Sequence, residues 1–313
     1  MELVIAILQQ FIIMIILAGI GYIMFRSQKI TLAGSKTLGN ILIYLSLPCV
    51  IINGFLIERT PEHFLGLLYS AVAAIVLLFV AIIISRLIFK KDAIAVFAGS
   101  FSNAGFFGVP LIVASLSNGM VFYIASFIAF LNLLQWTYGV ALMTQDQTGQ
   151  KGQNPLKSLS FKRIATAPFM IAIVIGLFFF LTQLPMPSIL AKSISFLSGL
   201  NTPIAMFTVG VYLAETDIGK MLRKPVLYKI SAVRLLVIPL ISILLLSLLP
   251  SEMADLKMAI IIAAACPVGS NVAVYAQLHD KDYIYSVETV IISTVLSLVS
   301  IPVVVGLSTF LWY

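Results

Sequence analysis

Charge is what this sequence has least of. Only 10% of its 313 residues are Asp, Glu, Lys or Arg, where soluble domains run near about a quarter. Hydrophobic residues make up 61%, and the mean hydropathy is +1.10. A water-soluble fold cannot hide that much apolar surface, so lipid must solvate most of it, and a soluble enzyme is excluded. Histidine is nearly absent as well: His63 and His279 lie far apart beside helices, so no metal site is expected. The two cysteines, Cys49 and Cys266, both fall in apolar segments and read as small buried hydrophobes rather than a disulfide. No nucleophile or metal constellation lies inside the apolar runs, which argues against a membrane enzyme. The pI of 9.4 does not indicate a nucleic-acid partner, because the basic residues sit in short clusters between apolar runs, as orientation signals do.

What is present is a series of runs long enough to cross a hydrocarbon core, which takes about 20 residues. Ten are expected, over residues 3–25, 37–57, 64–88, 93–115, 119–143, 163–182, 189–214, 225–249, 256–277 and 283–310. The N-terminal stretch MELVIAILQQFIIMIILAGIGYIMF has an acidic residue where a signal peptide carries positive charge, and it reads as a retained first span. The connections are short except for a polar central one, TQDQTGQKGQNPLKSLSFKR, and no extramembrane domain fits anywhere. Fifteen Lys and Arg fall in or beside the odd-numbered connections and three in the even ones, with Arg234 inside a span. The positive-inside rule then places the odd connections in the cytoplasm and both termini outside.

Ten spans divide into two halves, residues 1–150 and 151–313, each of five helices. Five is odd, so the second half must be inverted relative to the first. Local features correspond in order: YLSLPCVIINGFL in the second span with GLNTPIAMFTVGVYLA in the seventh, and FSNAGFFGVPL in the fourth with CPVGSNVAVYA in the ninth. Gly/Pro-interrupted segments at matching places of inverted repeats mark the binding site of a secondary transporter. Proline removes a backbone donor and glycine accepts unusual dihedrals. The fourth span is therefore expected to unwind around Asn103, Gly105, Gly108 and Pro110, and the ninth around Pro267, Gly269, Ser270 and Asn271. Unwound backbone is tolerated at membrane depth only where it lines an enclosed polar cavity. Half-helix N-termini would aim partial positive charge at that cavity, with Ser102, Asn103, Ser270 and Asn271 adding neutral donors and acceptors.

Ionisable residues inside spans are functional candidates by default. Arg234 is a candidate countercharge or cavity-lining group, and Glu288 a candidate proton acceptor or partner of a basic group; both could also snorkel to the interface. Asn132 and Gln135, three apart in IAFLNLLQWTYG, share a face of the fifth span and could line the cavity beside Asn103. The other embedded amides, Asn53 and Asn201, are explained by hydrogen bonding between helices.

Over its whole length the sequence resembles the auxin efflux carrier family, in the bacterial branch of malate and malonate permeases. FSNAGFFGVPLI and CPVGSNVAVYA carry the resemblance, with LPCVIINGF and NTPIAMFTVGVYLA supporting it. It implies a fold like that of the bile-acid/sodium symporters: an all-α polytopic protein of two inverted five-helix repeats, with helices 4 and 9 broken and crossing. Helices 1, 2, 6 and 7 would form a scaffold, often at a homodimer interface, and helices 3–5 and 8–10 a moving transport domain. By motif, the crossover prolines would be Pro110 and Pro267 and the crossover asparagines Asn103 and Asn271. The expected function is elevator-like transport of small organic anions across the plasma membrane, as uniport or with proton coupling and no cofactor. Sodium coupling is disfavoured, since no acidic cluster marks a sodium cage. The alternatives are efflux of indole-type weak acids, with Phe106, Phe107, Trp136 and Tyr275 stacking on the ring, and a non-transporting sensor or channel.

Overall fold

A computed structural model describes residues 2–144 and 166–313, and their regular secondary structure is helical apart from one isolated bridge. The helices are α1 (Glu2–Arg26), α2 (Leu32–Phe55), α3 (Pro61–Phe89), α4 (Ala93–Ser100), α5 (Ala104–Ser115), α6 (Val121–Thr144) and α7 (Pro168–Thr182) in the first part of the chain. They are followed by α8 (Ser188–Glu215), α9 (Pro225–Leu246), α10 (Ala254–Ala265), α11 (Asn271–Leu278) and α12 (Tyr283–Trp312). Seven of them, α1, α2, α3, α6, α8, α9 and α12, are long and apolar enough to cross a membrane. The central connection, its four basic residues and the expected repeat boundary at 150/151 lie outside the described residues, as does the start of the sixth expected span.

Local chemistry sets the helix ends. Thr31 and Thr60 accept the Gly34 and His63 N–H groups at the starts of α2 and α3, and Asp92 and Asp282 do the same for Ala95 and Tyr285 at α4 and α12. Each cap satisfies a donor that a helix start leaves orphaned. Three prolines within apolar helices each follow a widened π-helical turn by two residues: Pro48 after Leu42–Ser46, Pro110 after Ala104–Gly108 and Pro239 after Val233–Val237. A proline ring collides with the carbonyl four residues back and offers no N–H. The wider turn moves that carbonyl aside and lets the helix continue.

The surface is inside-out relative to a water-soluble protein. Ile12, Ile16 and Ile23 of α1 and Leu68, Ile83 and Leu87 of α3 are all more than half exposed, as a bilayer requires. The core is built on two short helices. Every residue from Ile94 to Ser100 in α4 and from Leu256 to Ala265 in α10 is buried. Around them, α1 packs on α8 at Gly21 and Gly210, α2 on α7 at Gly176 and α3 on α6 at Gly66.

Candidate functional site

The expected fourth and ninth spans are each interrupted, and their interruptions meet. α4 stops at Ser100 and α5 begins at Ala104, while α10 stops at Ala265 and α11 begins at Asn271. Between them Ser102 and Val268 form an antiparallel bridge. The Asn103 N–H donates to the Pro267 carbonyl at 2.8 Å, and the Gly269 N–H donates to the Phe101 carbonyl at 3.0 Å. These bonds satisfy backbone groups that hydrocarbon could not. A Cβ on Gly269 would sit 3.2 and 3.3 Å from the Ser102 and Phe101 carbonyl oxygens, so any side chain there would press the two strands of the bridge apart by a few tenths of an ångström. Val268 turns its N–H to the Ser293 hydroxyl of α12, at 3.0 Å.

The first interruption lies upstream of where the glycines and Pro110 pointed. Residues 101–103 leave the helix, with Phe101 extended, whereas Gly105 and Gly108 belong to the widened but still helical turn before Pro110. Gly108 serves packing, since a Cβ there would lie 3.0 Å from the Cys266 sulfur. Gly105 presents its carbonyl to the Asn201 amide of α8, at 3.1 Å.

Several of the remaining candidate residues converge on the bridge. Asn271, the first residue of α11, donates its amide to Gln135 Oε1 of α6 at 2.8 Å. Gln135 is 1% exposed and its Nε2 has no partner among the described residues; the same holds for the Ser102 hydroxyl, at 2% exposure. An unpartnered buried polar group costs about 1–3 kcal/mol, and these are two of nine such buried side-chain groups among the described residues, the pair that lies at the bridge. The Asn103 side chain is buried as well. Ser270 precedes α11 without a side-chain cap bond. Beside the amide pair, the rings of Trp136 and Tyr275 lie 6.0 Å apart and those of Phe97 and Tyr275 5.4 Å apart.

Other candidates stand elsewhere. Asn132 donates to the Ile128 carbonyl of its own helix. Glu288, 3% exposed, is held by Lys224 at 2.8 and 2.6 Å near the start of α12, a partner with no sequence signal beyond its sign. Nearby, Tyr285 donates to Asp92 at 3.0 Å, which ties α12 to the start of α4. Arg234 is buried with its guanidinium on the Gly99, Ser100 and Ala264 carbonyls.

A cavity of about 240 Å³ opens beside α5, where α1 begins and α2 and α5 end. Pro110 lines it together with Gln10, Asn53, Asn201 and Thr202, all neutral. Asn53 and Asn201 were legible as embedded amides. Only the meeting of α1, α2, α5 and α8 around one space makes them cavity walls, and Gln10 carried no distinguishing sequence signal.

The cavity is lined mostly by apolar groups and does not include Ser102, Asn103, Gln135 or Asn271, so it stands apart from the break; helices that break where they touch, with neutral donors at the break, suit the passage of a small solute better than bond-making chemistry. A family model described as "Membrane transport protein" matches residues 4–305 of the chain. The chain is also 25% identical over 273 residues, 84% of each sequence, to a protein of Rhizobium meliloti (strain 1021) named "Putative malonate transporter". The breaks, the amides and the full-length match converge on one assignment: the chain belongs to the membrane transport protein family, the auxin efflux carrier family to which its motifs pointed, and is a transporter rather than an enzyme.

Proposed function

We propose that the protein is a secondary transporter of small organic anions, malate- or malonate-type carboxylates, in the plasma membrane. The observation that carries this reading is the hydrogen-bonded pair of breaks, with the buried, unpartnered donors of Ser102 and Gln135 beside it. A carboxylate accepts such donors together with the free N–H groups at half-helix starts, without a permanent countercharge that would hinder release. The name of the Rhizobium relative supports the same substrate class.

In this reading ten spans form two inverted repeats, with the α4/α5 and α10/α11 pairs as spans four and nine. Both termini are extracytoplasmic. A transport domain containing both breaks moves against a scaffold that includes α1, α2, α7 and α8, as a homodimer. Transport is uniport or proton-coupled, with Glu288 as the coupling candidate. Uptake of labelled malonate or malate into proteoliposomes tests the site: Asn103→Ala and Gln135→Ala should each lower it at least about tenfold, the loss of roughly one charge-assisted hydrogen bond. Unchanged uptake of every carboxylate in Asn103→Ala would remove the site assignment.

Efflux of amphipathic aromatic acids is the second reading, favoured by Trp136, Tyr275 and Phe97 lying next to the amide pair. Competition against labelled malonate by indole acids and by unlabelled malate separates the two.

A further inference from the structure

Interrupting two helices leaves ends of two kinds. The starts of α5 and α11 offer N–H groups; the ends of α4 and α10 offer carbonyls, the last four of which in any helix lack intrahelical partners. Each helix C-terminus carries a partial negative charge of about one half, and here two of them converge in the core. One side chain meets both. Arg234 Nη1 donates to the Gly99 and Ser100 carbonyls at 3.1 and 3.3 Å, and Nη2 donates to the Ala264 carbonyl. The residue is 2% exposed, and no carboxylate pairs with it among the described residues. A lone buried cation would be expensive. This one is compensated by carbonyls, the same oxygen donors that coordinate a monovalent metal ion in a membrane interior.

We propose that Arg234 is the resident cation of a carbonyl site formed by Gly99, Ser100 and Ala264, filling with a guanidinium the position a monovalent cation would otherwise take. This deepens the transporter reading above and rests on it for the transport measurements alone. The crossing then needs no bound sodium, and the carboxylate is held by N–H and amide groups, not by Arg234. The Nε–H, unpartnered among the described residues, remains available for a water or a neighbouring carbonyl. Replacing the arginine with a small neutral residue should empty the carbonyl site and make it receptive to an external cation.

The experiment measures the thermal stability of purified protein in choline, sodium, potassium and millimolar guanidinium chloride. Wild-type Tm should be the same in all four. Arg234→Ala should melt lower and regain several degrees, saturably, with guanidinium or sodium. A variant stability indifferent to every cation overturns the proposal. Arg234→Lys keeps a charge with a poorer fit to three carbonyls and serves where the alanine variant does not accumulate. It should be stabilised by none of the added cations, because its own ammonium occupies the site, and a cation-dependent Tm there overturns the proposal. In proteoliposomes, wild-type uptake should be equal in sodium and choline, and Arg234→Lys should lower the maximal rate with KM within about threefold, since no charge-assisted bond to substrate is lost. Sodium-dependent wild-type uptake, or a KM raised about tenfold or more in Arg234→Lys, overturns the proposal. Absence of carboxylate uptake in wild type counts against the transport reading instead, and the melting series still decides the cation site.

Discussion

At 266–270 the chain carries its own reasons to leave a helix. Pro267 has no N–H and Gly269 permits a close backbone approach, and Cys266 is already extended, with ψ at 152°. At 101–103 the residues are Phe, Ser and Asn, none of them an obligatory helix breaker, and the nearest proline lies seven positions on. The second break is written locally; the first is imposed by its partners. The Pro267 carbonyl takes the Asn103 N–H, Gly269 takes the Phe101 carbonyl, and Arg234 takes the carbonyls of Gly99 and Ser100. The lesson is that one half of a paired membrane site can borrow its irregularity from the other half.

Four substitutions probe that asymmetry. The largest effect is expected from Gly269→Val, whose side chain would drive into the Ser102 and Phe101 carbonyls and separate the breaks. A displacement of about 1 Å at a reacting or binding centre costs roughly a hundredfold, and initial uptake rates at matched protein content should fall about that far. Pro267→Ala comes next: it returns an N–H to the local breaker, and with the template loosened uptake should fall about tenfold, equivalent to roughly 1.4 kcal/mol. Uptake within twofold of wild type would mean that the second break is held from outside, like the first. Asn201→Ala removes the donor to the Gly105 carbonyl and should cost about 0.5–1.5 kcal/mol, read as a lowered Tm with uptake reduced only severalfold. Pro110→Ala should matter least, because Pro110 shapes a turn that is still helical. A change within about 1 kcal/mol is expected there, and damage equal to that of Pro267→Ala would erase the distinction between the two breaks.

Much of the architecture was legible because lipid imposes simple rules. Apolar runs and the paired Gly/Pro stretches act within a few residues of themselves, so the sequence could announce the helices and the neighbourhood of both breaks. The first break was expected from Asn103 through Pro110; it takes in Asn103 but extends upstream to Phe101 rather than on to Pro110, because a π-helical turn absorbs that proline without unwinding. Ser293 under Val268, Asn201 on Gly105 and Lys224 on Glu288 join residues 25 to 96 positions apart. No local pattern encodes such pairs. Arg234 was recognisable as a charge in the wrong solvent, but its carbonyl partners, 30 to 135 positions away, exist only once α4 and α10 have been brought to one place.

The contact between α1 and α8 has a mechanical consequence. A Cβ on Gly21 would come within 2.6 Å of the Phe207 Cα, and one on Gly210 within 2.6 Å of the Tyr22 nitrogen, so the two backbones touch with no side chains between them. A seam of that kind has no lubricating layer: it can neither slide nor roll without steric collision. Contact geometry therefore disfavours shear between α1 and α8, and the seam joins a helix from the first part of the chain to one from the second.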